Sequence, residues 1–203
     1  MILVALLLAT QVVVQDPRLE RLDPETRSSV VAIVDSARGM RLPSEPLVQR
    51  ALEGATKGAG APRIVAAVRR LATDLGTVRT ALGEGASTPE LEAAVAALRA
   101  GASTHVLTNL RTARRGPLTM ALSVLADLVA SGVPADSAAA AVLALAPNAR
   151  DADLVDFRRA VERDISLGAP PGASAAVRAL NTGVRDATAT ADGQPPPRPP
   201  RRP

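Results

Sequence analysis

One four-residue phrase occurs twice, as Gly85-Ala86-Ser87-Thr88 and as Gly101-Ala102-Ser103-Thr104, on either side of an apolar pattern of helical period. Glycine can take the left-handed conformation that ends a helix, and Ser or Thr can accept the exposed N–H groups that begin the next. Gly116-Pro117 opens a third segment by the same logic. Corners this short confine the chain to brief helices that turn back on one another.

Composition points the same way. Alanine makes up about a fifth of the 203 residues, Trp, Tyr and Cys are absent, and the single Phe is Phe157. Alanine loses no side-chain entropy in a helix, whereas strands favour β-branched and aromatic residues. The expected fold class is all-α: short amphipathic helices in antiparallel hairpins, arranged as an irregular bundle or short α-solenoid.

Read in order, Asp23-Pro24 is a helix start, with Asp as cap and Pro at the first helical position. Val30, Ile33, Val34 and Ala37 share a face, and Gly39 is the expected stop. Leu42-Pro43-Ser44-Glu45 starts a second helix with Leu47, Val48, Ala51, Leu52 and Ala55 inward, ending at Gly58-Ala59-Gly60-Ala61.

Pro62 begins the longest helix, on which Ile64, Val68, Leu71, Leu75, Val78 and Leu82 form an almost pure stripe, with Gly76 marking a bend or a close crossing. Thr88-Pro89-Glu90 starts a helix with Leu91, Ala94, Val95 and Leu98. Ser103 or Thr104 starts one with Val106, Leu107, Leu110 and Ala113. Pro117 starts one with Leu118, Leu122, Leu125, Leu128 and Val129, stopped by Gly132.

Val133-Pro134-Ala135-Asp136 and Leu143 echo Leu42-Pro43-Ser44-Glu45 and Leu52. The pairs Arg158-Arg159 and Arg69-Arg70 extend that long-period likeness. Asp151 or Asp153 caps a helix with Leu154, Phe157, Val161 and Ile165 inward, broken at Pro170-Pro171-Gly172. A last weak helix carries Val177, Leu180 and Val184. The expected organisation is an apolar leader over 1–15, a connector over 16–23, a helical domain over 24–185 and a disordered Pro/Arg-rich tail over 186–203.

The run Met1–Val14 is too short to span a bilayer as a helix and matches the apolar centre of a secretory signal. It has no Lys or Arg ahead of it, and Val12-Val13-Val14-Gln15 is a poor cleavage site. Export to the periplasm or beyond is the expected destination, and the membrane enters only during export or through residues 1–14.

Net charge is +4, of which Arg198, Arg201 and Arg202 against Asp192 account for half. Without an aromatic platform, specific nucleic-acid binding is not expected. The absence of cysteine excludes disulfides and thiolate metal sites.

Each candidate for chemistry has a plainer structural reading. Gly54-Ala55-Thr56-Lys57-Gly58-Ala59-Gly60 lacks the Gly-Lys-Ser/Thr order of a phosphate loop and reads as helix-ending glycines. His105, the only histidine, rules out a two-histidine metal site and reads as a first-turn surface residue beside Ser103-Thr104. Asp151, Asp153 and Asp156 lack the glycine turn and closing Glu of a calcium loop and read as cap and dipole partners.

Glu90/Glu92 and Glu162/Asp164, two residues apart, point to different sides of a helix and read as solvated faces. Arg111, Arg114 and Arg115 read as partners of the negative end of their own helix. No catalytic, cofactor-binding or metal-ligating residue is assigned. The expected function is that of an exported, non-catalytic interaction or structural module, partnered by another envelope protein or an anionic surface. The alternatives are an envelope hydrolase or transferase with scattered residues, centred on His105, and a membrane-anchored stabiliser held by an uncleaved 1–14.

Overall fold

The computed structural model describes residues 16–192. The signal-like segment and the residues from 193 onward lie outside them. Among the described residues every regular element is helical: a 3-10 turn (Pro17–Arg21), then α1 (Pro24–Gly39), α2 (Glu45–Thr56), α3 (Ala61–Leu82), α4 (Thr88–Ala100), α5 (Thr104–Ala113), α6 (Thr119–Ala130), α7 (Ala135–Leu145), α8 (Asp151–Ser166) and α9 (Pro171–Asp192). The all-α expectation holds. The last helix runs on to Asp192, past position 185.

Two compact units divide the chain between Ala72 and Thr73, inside α3. In the first unit, Asp23 caps α1 by accepting from the Thr26 N–H at 2.9 Å. Val30, Val34 and Ala37 of α1 are buried, as are Leu47, Val48 and Ala51 of α2. The 3-10 turn packs against α1 and α2, and Leu19 closes that small core. Arg18 forks onto the Glu45 carboxylate at 2.9 and 2.6 Å, tying the turn to the start of α2.

In the second unit, alternate helices pack side by side. α4 lies against α6 and α6 against α8, while α5 lies against α7 and α7 against α9; α6–α7 and α8–α9 also touch. Stacked helical hairpins bury their apolar faces in this order. Leu91, Leu107, Leu110, Leu118, Leu122, Leu125, Leu128, Leu154 and Phe157 fill the centre. Each such side chain contributes about 1.5–3 kcal/mol when fully buried. The long stripe of α3 is buried at all six expected positions, and the helix runs unbroken through Gly76.

Five of the corners share one pattern, four of them through glycine. At Gly58, Gly101, Gly132 and Gly168 a residue at positive φ donates to the carbonyl three back, and the next N–H reaches five back. The first corner does the same through Arg41, at φ 56°, where Leu42 N–H donates to Ala37 O at 2.9 Å. The expected stop at Gly39 holds in position, since Gly39 is the last residue of α1, while the left-handed turn falls two residues later at Arg41.

The two Gly-Ala-Ser-Thr phrases also differ. Gly101 is left-handed, but the turn ahead of α4 is made by Gly83 at φ 85° rather than by Gly85. Beyond the glycine the phrases match: Ala86 and Ala102 are buried, Ser87 and Ser103 cap, and Thr88 and Thr104 are the first helical residues. The long-period likeness stops at the helix starts. The corner after α2 is matched by the one after α8, whereas α7 runs into a non-glycine turn over 146–150.

α9 departs most from expectation. Val177 and Leu180 were expected inward but are 55% and 71% exposed, while Ser174, Ala175 and Ala179 are buried. Small residues face the helices α7 and α8, between which α9 lies.

Candidate functional site

Glu90 is a buried carboxylate that ties several segments together. Ser87 caps α4, and Glu90 reaches back to the Ser87 N–H at 2.8 Å and accepts from its hydroxyl at 2.9 Å. The other carboxylate oxygen accepts from the buried Leu118 N–H at 2.9 Å, ahead of α6, and from the Arg111 guanidinium of α5. One carboxylate thus holds three helices. Burial pushes its pKa up, but the N–H groups of Ser87 and Leu118, then Arg111 and the Ser87 hydroxyl, outweigh it and hold the pKa at about 2.

The expectation that Glu90/Glu92 form a solvated face is therefore corrected for Glu90. Glu92 is exposed, so the two do not act as a pair. The Ser87-x-x-Glu90 spacing is the signature of a capping box and carries the local half of this role. The reach to Leu118 and Arg111 has no local signature.

Arg114 forms a second junction. Its side chain donates to Pro117 O at 3.0 Å, to Ala146 O and Ala149 O at 3.1 and 2.6 Å, and to Asp151 Oδ1 at 2.7 Å. It caps the carboxyl end of α7, not that of its own helix, which corrects the dipole reading. Arg111 belongs to Glu90, and Arg115 is exposed. The three arginines therefore serve separate ends and do not gather into an anion site.

The remaining candidates resolve in the same structural direction. The Ser103 hydroxyl accepts from the Val106 N–H at 3.3 Å, while exposed His105 meets Asn109 at 3.1 Å. This places no carboxylate on the histidine and leaves the serine in use as a cap. Asp153 accepts from the Arg150 N–H at 2.8 Å, Asp151 pairs with Arg114, and Asp156 lies 3.7 Å from Arg159. Among the described residues no group of three His, Asp or Glu is placed to hold a metal ion.

Asp164 takes Arg178 in two hydrogen bonds of 2.7 and 2.6 Å, joining α8 to α9, and that guanidinium holds its carboxyl below the usual range. Gly54 lies within α2, and Gly58 ends the corner that follows, in accord with helix-ending glycines rather than a phosphate cradle.

The exposed apolar surface is small by contrast. Val177 and Leu180, one turn apart on α9, stand in solvent together with Ala173 and Ala176. Leu167, at the corner before α9, is 80% exposed. Among the described residues no helix is long and apolar enough to cross a membrane. No protein-family model, curated protein or solved structure matches the chain.

Proposed function

We propose that the chain is a non-catalytic interaction module of paired helices, and that it works outside the cytoplasm. The observation that carries the first part is the outward face of α9. An apolar pair is left in water while the polar groups with chemical potential, Glu90, Arg111, Arg114, Asp151 and Ser103, serve as helix fasteners. Apolar side chains side by side on one exposed helix face give a partner surface to bury.

A photo-crosslinking residue in place of Val177 tests this reading in the native host. A discrete covalent adduct that disappears when Leu180→Asp is added is the expected result. The absence of any adduct overturns it. The destination rests on Met1–Val14 and has its own readout, the mass of the mature protein: a chain beginning near Gln15 or Asp16 supports export, and an intact Met1 on protein recovered from the cytoplasm overturns it.

A further inference from the structure

Among the described residues the basic surplus is concentrated on one stretch of α3. Residues 16–60 carry seven basic and seven acidic side chains, and residues 73–192 carry eleven basic against thirteen acidic. Between them, residues 61–72 carry Arg63, Arg69 and Arg70 and no acid. All three arginines are exposed, whereas Ile64, Val68 and Leu71 of the same stretch are buried.

At about 100° per residue, Arg63 and Arg70 fall within about 20° of one another on one flank of the helix, and about 10 Å apart along it. Arg69 stands across the outward arc, with the exposed Ala66 between. Arg69 has an interaction of its own within the chain, so the surface rests on Arg63 and Arg70.

We propose that this arc of α3 docks on an anionic lipid surface. Guanidinium is weakly hydrated and meets phosphate oxygens through paired N–H groups. Exposed Ala66 places only a methyl between the charges on the outward arc, which leaves them open to a plane of head groups. A single nucleic-acid strand would call for aromatic side chains to stack its bases. The only aromatic residue of the chain, Phe157, is buried. The surface uses residues other than the α9 face, and either can fail alone.

The test uses the full chain and sedimentation with vesicles at about 0.05 M salt, where surface charge is weakly screened. Vesicles of phosphatidylcholine containing one third phosphatidylglycerol should bind, and phosphatidylcholine alone should not. Arg63→Glu with Arg70→Glu should lower the partition at least about tenfold, and raising the salt to about 0.5 M should abolish it. Arg21→Glu with Arg27→Glu, an equal change of charge in the same unit, should stay within about twofold of the parent. So should the triple change of Arg198, Arg201 and Arg202 to Gln.

Circular dichroism checks each variant, and Arg63→Gln with Arg70→Gln replaces the Glu pair if that one does not fold. The proposal is overturned by absent vesicle binding, by equal binding of the α3 variant and the parent, or by an equal loss in either control. Retention on heparin without vesicle binding also overturns it, and assigns the arc to a polyanion.

Discussion

Arg41 occupies a position that the chain elsewhere gives to glycine. At φ 56° its Cβ crowds the backbone, and the left-handed conformation costs a non-glycine residue about 1 kcal/mol. Arg41→Gly should therefore be stabilising or neutral, since the relief is offset by the greater freedom glycine has when unfolded. Gly101 is the opposite case, at φ 112° with an added Cβ 3.7 Å from that of Ala135. Gly101→Val should destabilise by more than about 1 kcal/mol. Urea denaturation midpoints of the two variants, compared with the parent, check both signs.

Glu90 carries the strongest pH dependence at this scale. Its carboxyl stays charged in the folded state down to about pH 2, while its unperturbed value is 4.5. Between those values the unfolded state binds more protons, so stability is fully present above about pH 4.5 and drains away as pH falls toward 2. Glu90→Gln leaves Arg111 and the Leu118 N–H without their carboxylate and should cost about 3 kcal/mol at neutral pH. It should also flatten the acid limb of a stability-versus-pH curve. An acid limb as steep as the parent's would show that other carboxylates dominate it.

At the scale of elements, the close pairs are set by what small residues allow. Gly54 of α2 lies so near α3 that an added Cβ would come within 2.9 Å of Ile64 Cγ1. Gly54→Ala should shift the crossing of the two helices and cost about 1–3 kcal/mol, read from the thermal midpoint, even though alanine is the better helix former. The carboxyl end of α7 depends on Arg114 of α5. Arg114→Ala should expose the Ala146 and Ala149 carbonyls and cost about 2 kcal/mol, with faster amide exchange confined to the last turn of α7 and the start of α8. Uniform exchange across the unit would deny Arg114 that local role.

At the scale of the whole molecule, helix existence was legible because each helix declares itself locally. The stripe of α3 and the Asp23 cap are patterns within one or two turns, and both are found where they were read, while of Ser103 and Thr104 it is Ser103 that caps α5. The alanine-rich, aromatic-poor composition made the all-α class readable in the same way. What stayed hidden depends on partners distant along the chain. Glu90 meets Leu118 across 28 positions, and Arg114 meets Ala149 across 35. Nothing in the residues around either one announces that reach.

α9 shows the same limit from the other side. Its period allowed either face to be inner, and hydrophobicity alone favoured burying Val177 and Leu180. In the fold Ser174, Ala175 and Ala179 are the residues buried on α9, which lies against α7 and α8, a choice of face that depends on the packed neighbours and not on the period of α9. By itself the amino-acid sequence determined where helices form and where most of them turn, since those depend on backbone freedom and on hydrogen bonds a few residues long. Only the tertiary structure decided which carboxylate is buried, which arginine caps which helix and which apolar face meets water, because those follow from the packing of segments far apart in the chain.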